Sequence, residues 1–283
     1  MRLGLVGFGA IGSALVARMA SDVDAPPRFA AVLSPRGMGR IGIDGPPPGL
    51  DAVFDDARAL LEWSPDLVIE CANHAGVREH VPHCLEHGVD VVLVSVGALA
   101  DADLAARLEN AARGGGAPDE GSRGGERPGG ARIILPAGAI GGLDLLGALA
   151  VEGLESVRYR GVKPPEAWRG SPAEELLDLA DLDGPTTFFE GDARGAAREY
   201  PKNANVTATL ALHGLGFERT AVTLVADPGA AGNTHEIDVR AACGDFSLRV
   251  SSRPSEGNAR TSATTVLSVI HEIGRWRVAS GEK

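Results

Sequence analysis

The sequence predicts an α/β protein in two parts: a doubly wound parallel sheet, then a second α/β domain with a mixed or antiparallel sheet. Three observations predict this. Gly7, Gly9 and Gly12 stand in G-x-G-x-x-G order between a strand-length apolar run and a helix. Strand-like and helix-like segments alternate over the first 137 residues, the pattern of parallel sheets. Beyond that point several segments alternate apolar and polar residues, the period of antiparallel strands. The chain has 283 residues, which at roughly 150 residues per domain suits two domains. We place them at 1–137 and 138–261, and expect a last helix over 262–283 to pack back on the first.

The opening segment, MRLGLVGFGAIGSALVARMASD, has a basic residue before an apolar run and so resembles a short signal peptide. Four glycines within that run weaken a signal helix. The alternative is a buried strand over Leu3–Val6, a tight turn, and a helix from about Ala10 to Ala20. In that arrangement Gly7 permits the turn, Gly9 lets the backbone approach a pyrophosphate, and Gly12 allows close packing. The free N–H groups at the helix start, around Ala10 and Ile11, then hold phosphates with help from the helix dipole. This is a Rossmann-type, dinucleotide-binding reading.

A second strand is expected over Arg28–Leu33. NAD-selective sites carry Asp or Glu after this strand to bond the ribose 2′-hydroxyl. Here the residues are Ser34-Pro35-Arg36. Ser34 can bond a hydroxyl or a phosphate, and Arg36 can pair with a 2′-phosphate or stand as a solvated loop residue. Use of NADP, or of both NAD and NADP, follows as readily as strict use of NAD.

Further strands are expected at Leu67–Cys71 and Asp90–Ser95, with a helix over about Ala75–His87 between them. Ligands bind at the carboxyl ends of such strands. That puts Cys71 and Ala72, and Ser95, beside the nicotinamide half of the cofactor. His80, His83, Cys84 and His87 have helical spacing that could suggest a metal, but no other pair has structural-zinc spacing. They read as polar residues on the helix's solvent side, and no metal is expected. Residues 113–130, rich in Gly, Pro and charge, read as a mobile loop or a linker. A strand over Ala131–Leu135 follows.

In the second half, strands are expected at Ser156–Val162, Thr186–Glu190, Thr220–Asp227, His235–Ala241 and Asp245–Ser251, with a last helix over about Thr261–Arg277. Two polar clusters stand out. In Tyr200–Thr209 a doubled asparagine, Asn203 and Asn205, can cap the next helix or bond a carboxamide or a substrate. In the other, His235 follows a turn, where it is either structural or a group that takes and gives protons.

Composition narrows the partners. With 27 basic and 38 acidic side chains the net charge is −11. That charge, with no basic patch and only 4% aromatic residues for base stacking, argues against nucleic acid and against anionic membrane. Three cysteines, Cys71, Cys84 and Cys243, without CxxC spacing suit a reducing cytoplasm.

GFGAIG (7–12), ECANH (70–74), VSVGAL (94–99), LPAGAIGGLD (135–144), VKPPEAW (162–168), KNANVTATLAL (202–212) and ADPGAAGNTHEI (226–237) together resemble the NadX-type L-aspartate dehydrogenases, as does PSEGNARTS (254–262). The resemblance spans nearly the whole chain except the loop 113–130. It implies a Rossmann domain joined to an α/β domain like that of dihydrodipicolinate reductase, assembled as a homodimer or other homo-oligomer. It implies oxidation of L-aspartate to iminoaspartate with NAD or NADP. The imine then gives oxaloacetate and ammonia, or feeds quinolinate and NAD synthesis. His235 carries over as the active-site residue, and Ala139 and Asn205 as cofactor contacts. Lys163, Lys202 and Asn203, on motif-bearing loops, are candidates for binding the substrate and its carboxylates. Two alternatives stay open: another reductase of this architecture, of the dihydrodipicolinate or homoserine type, and a non-catalytic dinucleotide-binding sensor.

Overall fold

A computed structural model describes residues 1–21, 26–38, 45–114, 130–201, 203–252, 254–255 and 258–281. The chain divides into two units, Met1–Pro136 with Val269–Lys283, and Ala137–Ser268.

The first unit is built on a six-stranded sheet. In chain order it runs β1 (Arg2–Val6), α1 (Ala10–Ser21), β2 (Arg28–Val32), α2 (Pro35–Met38), β3 (Ala52–Phe54), α3 (Ala57–Glu62), β4 (Leu67–Glu70), α4 (His74–Glu86), β5 (Val91–Leu93), α5 (Ala102–Gly114) and β6 (Ile133–Ile134). The strand order is β3-β2-β1-β4-β5-β6, and every pairing is parallel. The order reverses between β1 and β4, which makes the carboxyl ends of these two strands the ligand-binding crevice of such a sheet. A parallel sheet covered on both faces needs continuous apolar strands. Leu3, Leu5, Leu67, Val68 and Ile69 are fully buried. Helix starts are set by side-chain caps: Asp56 accepts from Ala59 N–H at α3, and Asn73 accepts from Ala75 and Gly76 N–H at α4.

Two strands are shorter than the apolar runs suggest. β5 stops at Leu93, and the chain tightens into a 3₁₀ turn over Val96–Ala100. β6 keeps only Ile133 and Ile134, because the backbone N–H of Arg132 is taken by the Asp90 carboxylate. Most of the loop expected at 113–130, namely 115–129, lies outside the described residues.

The second unit comprises α6 (Leu143–Glu152), β7 (Leu154–Lys163), α7 (Pro165–Trp168), α8 (Ala173–Leu176), β8 (Thr186–Asp192), α9 (Ala193–Glu199), α10 (Asn205–His213), β9 (Thr220–Ala226), β10 (Asn233–Ala241), β11 (Gly244–Ser252), β12 (Pro254–Ser255) and β13 (Asn258–Ser262). Its main sheet has the order β11-β10-β7-β9-β8. β7 and β9 run parallel and the other three pairings are antiparallel, so the sheet is mixed. One face is apolar, with Val157, Tyr159, Val222, Leu224, Ile237 and Val239 buried. α6 packs against β10, and α9 and α10 against β9. Arg158, Arg240 and Asp238, on the opposite face, stay exposed, the alternation of a half-solvated sheet.

The last helix, α11 (Ala263–Ser280), crosses the division of the chain. Its part from Val269 belongs to the first unit, where the Trp276 indole donates to Asp90 at 2.7 Å. The same carboxylate accepts from Arg132.

Candidate active site

In the first unit, Gly7, Gly9, Ala10, Ile11, Gly12, Cys71, Ala72 and Ser95 gather at the carboxyl ends of β1, β4 and β5. Gly7 has φ +97°, a left-handed conformation, and a Cβ there would come within 2.8 Å of Ala72. Only glycine fits. A Cβ on Gly12 would lie 2.9 Å from the Gly7 carbonyl, so this glycine lets α1 start close to the turn. Gly9 is exposed, and a Cβ on it would meet nothing within 4 Å. The first turn of α1 carries no acidic side chain. An open glycine beside free helix N–H groups is the cradle an anionic pyrophosphate fits.

Glu70 ends β4 beneath this cradle, and sequence reasoning did not single it out. It is fully buried. Its Oε1 accepts from the Ala72 N–H and the Ser95 hydroxyl, and its Oε2 from the Ser95 N–H, each at 2.9 Å. Burial pushes its carboxyl up to about 7, against the lowering effect of these donors. Cys71 Sγ–H donates to the Gly7 carbonyl at 3.2 Å, and burial raises its thiol well above the usual range. Cys71 is therefore a packing residue under the turn, not a reactive thiol. Ser34 follows β2, exposed, and its hydroxyl accepts from the Gly37 N–H. The side chain of Arg36 lies outside the described residues.

His80, His83, Cys84 and His87, expected on the solvent side of α4, do not form one exposed polar face. Cys84 is fully buried, His80 is half-buried and His87 is exposed. Among the described residues no group of three or more His, Cys, Asp or Glu side chains could hold a metal ion.

In the second unit, His235 and Lys163 are the buried basic side chains among the described residues, 3% and 5% exposed. His235, the expected start of this strand, is the third residue of β10, which begins two places earlier at Asn233. Its Nδ1 is 2.8 Å from the Tyr159 hydroxyl, and its Nε2 is buried with no hydrogen-bond partner among the described residues. Burial, then the charge of Lys163, lowers its pKa to about 3, so the ring is neutral near pH 7. Lys163 ends β7. Its Nζ donates to Asn203 Oδ1 at 2.8 Å and stands 4.9 Å from the centre of the Trp168 ring. Burial lowers its pKa to about 8, and the ring face offsets part of that cost.

The doubled asparagine does not cap α10. Ala204 occupies the cap position and contributes no side-chain bond. Asn203 faces Lys163 instead, because an ammonium buried without an acceptor costs more than a missing cap. Asn205 is the first residue of α10. Ala139 is buried in the turn before α6, where Ile140 N–H bonds the Ala137 carbonyl. The structure thus joins His235, Lys163 and Asn203 in one neighbourhood. Lys202 lies outside the described residues. Tyr159 was missed by sequence reasoning. The signal for it is the alternation Tyr159, Gly161, Lys163 on one strand face.

Residues 7–118 match the family model described as the NAD-binding domain of homoserine dehydrogenase, and residues 144–275 match the C-terminal domain of aspartate dehydrogenase. The L-aspartate dehydrogenase of Cupriavidus taiwanensis is 42% identical over 279 residues, covering 97% of each chain. The chain belongs to the L-aspartate dehydrogenase family. A second family member, from Pseudomonas aeruginosa, is 41% identical over 95% of each chain. Among solved structures, aspartate dehydrogenase from Thermotoga maritima superposes with a TM-score of 0.71 at 28% identity, covering 98% of this chain and 96% of that one. A dihydrodipicolinate reductase from Paenisporosarcina shares the fold, with a TM-score of 0.52 at 14% identity over 97% and 94% of the two chains. The family assignment makes the first unit an NAD(P)-binding domain and the chain an oxidoreductase.

Proposed function

We propose that this protein oxidises L-aspartate to iminoaspartate with NAD or NADP, the imine then hydrolysing to oxaloacetate and ammonia or feeding quinolinate and NAD synthesis. One observation carries the reading. A neutral histidine with a ring nitrogen that has no partner among the described residues, and a charged lysine, are buried together in the second unit. The substrate has an amine to be deprotonated and two carboxylates to be held, and these two residues match those needs.

The first unit would hold the cofactor through Gly7, Gly9, Ala10, Ile11 and Gly12 at its phosphates, Ser34 and Arg36 at the adenosine ribose, and Cys71, Ala72 and Ser95 toward the nicotinamide. From the second unit Ala139 and Asn205 would contribute. When bound, the nicotinamide supplies the hydride acceptor. Lys163 binds a substrate carboxylate, held in place by Asn203 and backed by Trp168, with Lys202 a second cation from the same loop. His235 exchanges a proton through Nε2, first with the substrate nitrogen and later with the water that adds to the imine. Being neutral, it does so without placing a second positive charge beside Lys163.

The decisive experiment is spectrophotometric. Purified protein is given NAD, then NADP, with L-aspartate or with a panel of other amino and hydroxy acids. Reduction with L-aspartate alone supports the proposal. Reduction only with another substrate favours a related reductase, and no reduction with any favours a non-catalytic sensor.

We also propose a cytoplasmic homodimer acting on this small substrate, with no nucleic-acid or membrane partner. Free cysteines at 71, 84 and 243 suit a reducing compartment. Leu145 and Val151, 46% and 84% exposed on α6, suit a subunit contact. The charge of −11 disfavours nucleic acid and anionic lipid. Among the described residues no helix is long and apolar enough to cross a membrane.

A further inference from the structure

We infer that Tyr159 is a positioning residue for His235, fixing the ring's orientation and tautomer so that Nε2 presents its lone pair to the substrate's proton. The inference rests on the proposed role of His235 and adds a residue that fixes which nitrogen acts.

Three features of the sheet support it. First, β7 and β10 are antiparallel neighbours, with His235 opposite Gly161 and Ile237 opposite Tyr159. Tyr159 and His235 are therefore a diagonal pair on one face, too far apart for short side chains but within reach of an aromatic one. Second, Gly161 keeps the diagonal open. A Cβ there would lie 2.6 Å from the Tyr159 hydroxyl oxygen and 3.1 Å from its Cζ and Cε1. The tyrosine lies across the glycine to reach Nδ1, and the two rings are near parallel at 23° with centroids 6.0 Å apart.

Third, the donor and acceptor accounting, with Nε2 as the base, selects one tautomer. Tyr159 is 2% exposed, and among the described residues its hydroxyl bonds only to His235. Burial raises its pKa, so the phenol keeps its proton. A phenol hydroxyl can donate to Nδ1 or accept from it. For Nε2 to take a proton, the hydrogen of the neutral ring must sit on Nδ1, which then donates to the tyrosine oxygen. A ring without this bond could rotate or populate the other tautomer.

The test uses full-length protein and four variants: Tyr159→Phe, Gly161→Ala, His235→Ala, and the Tyr159→Phe/His235→Ala double variant. Loss of one net hydrogen bond should lower kcat about tenfold in Tyr159→Phe, with the cofactor Kd unchanged. Gly161→Ala should follow the same pattern, because its methyl displaces the phenol. In the His235→Ala background, Tyr159→Phe should cost nothing further, since the tyrosine acts through the histidine. ¹⁵N spectra, with His235 assigned by its absence in His235→Ala, should show the Nδ1–H tautomer in the parent and a mixture in Tyr159→Phe. A packing role alone would leave that signature unmoved.

A Tyr159→Phe protein with parental kcat and an unchanged tautomer overturns the inference. So does an equal loss of kcat in both backgrounds. A His235→Ala protein with parental kcat overturns the reading of His235 itself, and the two failures are distinct.

Discussion

Ser95 contributes both its backbone N–H and its hydroxyl to the two carboxylate oxygens of Glu70, each at 2.9 Å. Through Ala72 the same carboxylate also holds the loop after β4. One buried acid therefore ties together two crossover loops at the sheet edge where the cofactor is proposed to bind. Gln in its place would turn an NH₂ toward one of these donors. Glu70→Gln should weaken NAD(P) binding about tenfold while leaving the aspartate KM near the parental value. Titration calorimetry with the oxidised cofactor checks this. Equal Kd values for the two proteins would show that the two loops do not depend on this acid.

Glu70 also gives the fold a pH signature. Its folded pKa, about 7, is raised above the ordinary 4.5 by burial. Between those values the native protein holds a proton that the unfolded chain has lost. Stability should therefore fall as pH rises from about 4.5 to about 7, by an amount of order 3 kcal/mol from this group. Comparing Tm against pH for the parent and for Glu70→Gln isolates the contribution. The variant's curve should lack this component of the slope.

Removing the imidazole should be costly. His235→Ala should lower kcat by about 10²–10⁴, the usual scale for a proton-exchanging group. The Kd for cofactor should stay within about twofold. Since burial holds the ring near 3, no limb of the pH–rate profile between about pH 5 and 9 should belong to His235.

Lys163 should supply such a limb. Burial brings its pKa down from 10.5 to about 8. Below that value the ammonium is charged and can hold a carboxylate; above it, the charge is lost. The KM for aspartate should rise as pH passes upward through about 8. Lys163→Met should raise KM at pH 7 and flatten the dependence. A Lys163→Met protein with a parental KM profile would remove the lysine from the substrate site.

Cofactor choice is expected to turn on the residues after β2. With Ser34 and Arg36 where an acid would select NAD, Arg36→Ala should lower kcat/KM for NADP about tenfold, the worth of a charged hydrogen bond, and leave NAD nearly unchanged. Ser34→Asp should shift preference toward NAD. Parallel assays with both nucleotides decide the matter.

Much of the first unit was legible because its signals are local. A buried parallel strand is a continuous apolar run, and Gly7-x-Gly9-x-x-Gly12 announces the turn between β1 and α1. The short strands were harder to delimit. Tertiary bonds end them, as when Asp90 captures the Arg132 N–H before β6. The candidate site was legible where the residue type is itself distinctive, as with the buried His235 and Lys163. It was not legible where function depends on neighbours distant in sequence. Tyr159 lies 76 positions from His235, and nothing local distinguishes it from a core tyrosine. By sequence Asn203 could cap a helix or bond a ligand, and only the fold pairs it with the ammonium of Lys163.

The return of α11 to the first unit has a consequence for synthesis. Trp276 closes on Asp90, 186 positions earlier in the chain. The nucleotide-binding half thus lacks this contact until Trp276 has been made, after the whole of Ala137–Ser268. A fragment ending at Pro136 would lack the indole that bonds Asp90. The first unit is thus completed in the chain only after the second.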